Sequence, residues 1–79
     1  MRAESVVFTR LYHLILQKFG TIKNFSEATF YNQTTVARRL RGQAMFTSTD
    51  IKDWCSALEI PQKEIPFYFF QDMEKERNP

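Results

Sequence analysis

The sequence is short of the residues that break chains or cross-link them. Only two glycines, Gly20 and Gly42, and three prolines stand among 79 residues. A Gly-rich phosphate loop and a long flexible linker are both excluded. The single cysteine, Cys55, cannot close an internal disulfide or hold a metal alone. A reducing, cytoplasmic setting is the expectation. His13 is the one histidine and has no Cys or His companion, so it reads as a surface side chain and not a ligand. No apolar run approaches the ~20 residues that span a bilayer. The opening MRAESVVFTR carries charge and polar breaks where a secretion signal needs an apolar stretch. Strand-like alternation is nearly missing, and no acid–base pair or Cys/His set suggests an active site. The expectation is therefore no enzyme, no cofactor, no metal, no membrane and no small-molecule ligand.

A further absence is local. Residues 28–42, ATFYNQTTVARRLRG, contain no Asp or Glu but hold three arginines. They lie in the basic part of the chain. Residues 1–49 carry seven Lys/Arg against two acids, a balance of +5, and residues 50–79 carry four against seven, a balance of −3. The net +2 conceals this division, which suggests one side facing a polyanion.

What is present is helical periodicity in one small domain spanning residues 1–79, ordered over about 4–71, with a frayed charged tail. Phe8, Leu11, Ile15 and Phe19, widened by Val7 and Leu14, predict a first helix over 4–19, stopped by Gly20. Thr21 caps a second over 22–29, with Ile22, Phe25, Ser26 and Thr29 inward. Asn32 caps a third over 33–41, stopped by Gly42. Thr47 and Asp50 have capping-box spacing at the head of a fourth, with Phe46 and Ile51 placed for a hydrophobic staple. Its apolar stripe is Ile51, Trp54, Cys55 and Leu58. Pro61 suits the start of a last helix, which Pro66 either kinks or restarts. The expected class is all-α, a compact bundle of about five short helices. Only residues 30–32 separate the second and third helices, a helix-turn-helix spacing.

On a helical wheel the third helix puts Val36, Ala37 and Leu40 on one side. Thr34, Thr35, Arg38 and Arg41 spread over the other, and Arg39 lies at the flank. Gln33, in the first turn, projects past the helix N-terminus. Lys23, Arg38, Arg39 and Arg41 are candidates to neutralise phosphates.

The stretch FSEATFYNQTTVARRLRG is similar to the helix-turn-helix of the lambda-repressor-like family, of the Cro and phage-repressor type. Phe25 and Ser26, then the turn, then Val36, Ala37, Arg38 and Gly42 fall in that family's order. KFGTIKNFSEA, RRLRG and the closing IP…YFF resemble small regulators of Gram-positive phages and mobile elements. The resemblance covers residues 8–70. It implies a transcription regulator binding a double-stranded DNA operator, with the third helix in the major groove. It implies base reading by Gln33, Thr34, Thr35 and Arg38, and backbone contacts by Asn32, Arg41 and Gln43. Three positions depart from the family: Phe30 where the turn usually has Gly, Thr29 where a core Leu is usual, and Ile22 where Gln is common. Phe30 is expected to turn inward and fill the space left by Thr29.

A homodimer is expected, because one such helix covers few base pairs. The aromatic end supplies candidate contacts: Phe67, Tyr68, Phe69 and Phe70, with Trp54. The competing reading is a protein-binding module on the same fold, an antirepressor or inhibitor using that aromatic segment.

Overall fold

A computed structural model describes residues 6–70 of the chain. The described residues form five helices, α1 (Thr9–Phe19), α2 (Ile22–Thr29), α3 (Gln33–Leu40), α4 (Ser48–Leu58) and α5 (Ile65–Phe69), with a 3-10 turn, Gln62–Glu64, before α5. The all-α expectation holds. No described helix is long and apolar enough to cross a membrane.

Each boundary has a local cause. Gly20 ends α1 at φ +85°, and its N–H donates to the Leu16 carbonyl at 2.9 Å. Thr21 then starts α2 by accepting the Asn24 N–H at 3.0 Å, while the Asn24 amide donates to the Phe19 carbonyl at 2.9 Å. Asn32 caps α3 through the Thr34 N–H at 2.8 Å. Pro66 restarts the chain: it lies in the first turn of α5, where a missing N–H costs nothing.

Two boundaries differ from expectation. The first helix begins at Thr9 and not at residue 4. Residues 6–8 instead run along the end of α3, where the Val7 and Phe8 N–H groups donate to the Leu40 carbonyl at 3.0 and 3.2 Å. Residues 4 and 5 lie outside the described residues, as does the tail 71–79. The third helix ends at Leu40, with Arg41 as its cap.

The core is aromatic. Leu11, Ile15, Phe25, Val36, Leu40, Trp54 and Leu58 are fully buried. Trp54 is the hub, with Phe25, Phe46 and Tyr31 meeting it edge-to-face at ring centroids of 4.9, 5.0 and 6.0 Å. Phe46 passes the packing on to Phe8 and Phe69 at 5.3 and 5.0 Å. Trp54 is therefore no surface for a partner, contrary to its expected part in a dimer contact. Phe69 is corrected likewise, being buried against Phe46. Cys55 is a buried core residue, and burial pushes its thiol pKa up.

Phe30 overturns its expectation. It holds a left-handed backbone, φ +64°, and is 95% exposed, so it fills no core space. Thr29 needs no such help, since its hydroxyl donates to the Phe25 carbonyl at 2.8 Å. The local cause is the tight reversal between two capped helices, which demands positive φ whatever the residue.

A buried polar node joins α3 to α4. Asp50 accepts the Thr47 N–H at 2.9 Å in the capping box, the Arg39 Nε at 2.8 Å and the Tyr31 hydroxyl at 2.8 Å. Burial alone would raise the Asp50 pKa, but these donors outweigh it and hold the carboxyl below its ordinary value. The Tyr31 phenol is pushed up by burial and by the carboxylates of Asp50 and Asp53.

Two outcomes follow. Phe30→Gly should raise stability by about 0.5–1 kcal/mol, because it relieves the left-handed strain at the expense of some chain entropy; urea unfolding measures it. A depressed Asp50 pKa stabilises the fold above the unfolded-state value of about 4, and that contribution is lost as pH falls through the folded pKa. Asp50→Asn should cost about 1.5–3 kcal/mol at neutral pH and flatten the acid limb of a stability–pH curve. An unchanged acid limb would show that Asp50 does not carry it.

Candidate nucleic-acid interface

The expected reading residues are a continuous strip. Val36 and Leu40 are buried against the core and hold α3 in place. The opposite side then presents Thr34 and Arg38 to solvent, with Thr35 half-buried beside them, and Gln33 is exposed at the N-terminal end of the helix. Asn32 and Gln43, at the two ends of the helix, are exposed as well. The Gln43 N–H closes the C-terminal end by donating to the Arg38 carbonyl at 2.9 Å.

Beside this strip lies an open groove of about 590 Å³ between α1, α2 and α3. Thr21, Ile22 and Lys23 form one wall, and Gln33, Thr34, Ala37 and Arg41 the other. Tyr12 and Leu16 of α1 form the floor. The first turns of two helices thus border one groove. First-turn N–H groups have no partner within their own helix, and the aligned peptide dipoles add positive potential there. Lys23 and Arg41 add full charges, and no carboxylate lines the groove. Such a site is suited to phosphate.

The arginines divide by duty. Arg38 is exposed and Arg41 half-buried, and neither has a carboxylate partner among the described residues. The Nε of Arg41 is covered and has no acceptor among those residues. Arg39 is different. Its side chain is only 17% exposed and is committed to Asp50, so its expected role as a phosphate contact is withdrawn. The wheel placed Arg39 at the flank, and from there it reaches Asp50 at the head of α4.

Tyr12 is the groove residue that sequence reasoning missed. It stands four residues after Phe8, on the edge of the apolar stripe of α1. Among the other calls, Lys23 is exposed on the groove wall as anticipated. The exposed aromatics of α5 lie elsewhere: Phe67 is 49% exposed and capped by the Arg10 guanidinium, 4.0 Å from its ring centroid. Tyr68 is half-buried.

Residues 5–72 match the family described as "Protein of unknown function (DUF739)", and the chain belongs to that family. No curated protein matches it.

The division of the arginines is measurable without any ligand. Arg39→Ala should lower stability by about 1.5–3 kcal/mol, because it strips a charged partner from a buried carboxylate. Arg38→Ala should stay within about ±0.5 kcal/mol, as surface changes do. Thermal unfolding of the two variants checks both. Equal effects would undo the assignment.

Proposed function

We propose that this DUF739 chain is a sequence-specific regulator that binds double-stranded DNA, of the helix-turn-helix, lambda-repressor-like kind. In this reading α3 enters the major groove. The reading rests on one observation above all: an acid-free strip of exposed Gln33, Thr34 and Arg38 stands beside a groove bordered by two helix N-termini, Lys23 and Arg41.

The roles follow from chemistry. Gln33 suits bidentate pairing with adenine, and Arg38 with guanine N7 and O6. Thr34 and Thr35 lie beside them. Lys23, Arg41, Asn32 and Gln43 hold the sugar-phosphate backbone, which sets register and carries no base information. A protein-binding use of the same fold is the competing reading, favoured by the exposed Phe67 of α5 and Phe70 just after it. A homodimer on an inverted repeat is the natural operating unit, because one short helix covers only a few base pairs.

Selection of bound sequences from a random duplex pool, followed by titration at several salt concentrations, tests the reading. Affinity should fall steeply with salt, with a slope set by the phosphates that Lys23 and Arg41 neutralise. Arg38→Ala should relax base preference at one position and cost about 1–3 kcal/mol, while Arg41→Ala should weaken all duplexes alike. No enriched sequence and no binding at low salt would favour the protein-binding use.

A further inference from the structure

The turn between α2 and α3 carries a side chain that the fold does not use. Phe30 is 95% exposed and holds φ +64°, a backbone that glycine adopts without strain. Beside it lies a shallow groove of about 380 Å³ between α2 and α4, lined by Ala28, Thr29, Asp53, Ser56 and Ala57. Both chain neighbours of Phe30 place it there. Thr29 lines the groove, and the Tyr31 hydroxyl donates to Oδ2 of the groove's Asp53 at 3.1 Å. The other lining side chains are small and leave the Asp53 carboxylate exposed.

We infer that this corner receives an arginine of another protein, its guanidinium stacked on the Phe30 ring and paired with Asp53. The occupant follows from charge and shape. The C-terminal end of α2 lies here, and the carbonyl end of a helix is negative. No Lys or Arg stands in its last turn. Asp53 makes no ion pair among the described residues. The other charged groups near the turn do not cancel it. Asp50 is taken by Arg39 and Tyr31, and Lys23 lines the groove on the α3 side. Glu27 adds a second exposed carboxylate, and Lys52, next to Asp53, pairs with neither. A lysine ammonium also meets a carboxylate. Only the planar guanidinium offers a flat face to a ring and a donor fork to a carboxylate together. The chain makes half of this contact itself, where the Arg10 guanidinium lies 4.0 Å from the centroid of Phe67.

The placement has a consequence for α3. Asn32 and Gln33 follow the turn directly, so a protein docked on Phe30 stands beside the head of α3. The inference needs nothing from DNA binding and nothing from the aromatic segment of α5.

Titration of the intact, isotope-labelled chain with the peptide acetyl-Ala-Arg-Ala-amide, followed by nuclear magnetic resonance, tests it. Saturable amide shifts should gather at Phe30, Tyr31, Asp53 and Ser56, with a dissociation constant on the order of 10 mM, as suits one side chain. Peptides with lysine or citrulline in place of arginine, at matched salt, should each bind about threefold more weakly or worse. The first lacks the flat face and the second the charge. Phe30→Gly and Asp53→Asn should each weaken the arginine peptide by about threefold or more, while Phe30→Tyr should retain it. Phe30→Gly relieves backbone strain, so its loss of binding is not a loss of fold. Shifts gathered elsewhere, equal binding of either control peptide, or full binding by Phe30→Gly overturns the inference. So does a parent that self-associates in sedimentation beside a Phe30→Gly variant that does not, since a second copy then fills the corner. With no DNA present, each outcome leaves the proposed function to its own test.

Discussion

One carboxylate decides where α3 sits. Asp50 begins α4 by closing the capping box with Thr47, then receives Arg39 from α3 and Tyr31 from the connection before it. Burying a lone carboxylate is costly, and three charge-assisted donors offset that cost. The same bonds that satisfy Asp50 therefore tie α3, and the connection before it, to the head of α4. Hydrophobic packing of Val36 and Leu40 supplies the attraction, but such packing tolerates small rotations. Directional hydrogen bonds do not. A helix that presents side chains to a rigid partner depends on that difference.

With α3 held from behind, the forward side is released from structural duty. Arg38 and Arg41, one or two residues from Arg39, have no carboxylate partner among the described residues. The basic excess of the first 49 residues is thus divided: Arg39 is consumed internally, while Lys23, Arg38 and Arg41 remain toward solvent or the groove. The acidic excess of the later residues falls partly on α4, where Asp50 and Asp53 serve Tyr31.

Much of this was legible from spacing. Thr21, Asn32 and Thr47 cap helices where side-chain chemistry requires it, since a hydroxyl or amide followed by helix formers has few other uses. The inward stripes of α1 and α4 were equally plain. What spacing missed were long-range choices. Phe30 was read as a core residue because aromatics favour burial, but the backbone reversal left its side chain no inward direction. Arg39 was read as a phosphate contact because periodicity cannot see Asp50, eleven residues on. Phe69 was offered to a partner because four aromatics in a row exceed one helix face, and Trp54 as a partly exposed indole. The packing around Phe46 accepts both. Tyr12 escaped notice because a groove wall and a core edge look alike in one dimension.

The tether of Val7 and Phe8 to the Leu40 carbonyl has a bearing on the order in which the molecule is made. Its donors leave the ribosome before their acceptor, which is the last residue of α3. Until that helix exists, the beginning of the chain has nowhere to dock. Closing so long a loop is entropically unfavourable, and it becomes worthwhile only when α2 and α3 already pack together. Val7 and Phe8 are thus made before α3 but find their place after it. A nascent chain interrupted before Leu40 would carry an α1 whose apolar stripe has nothing to cover it.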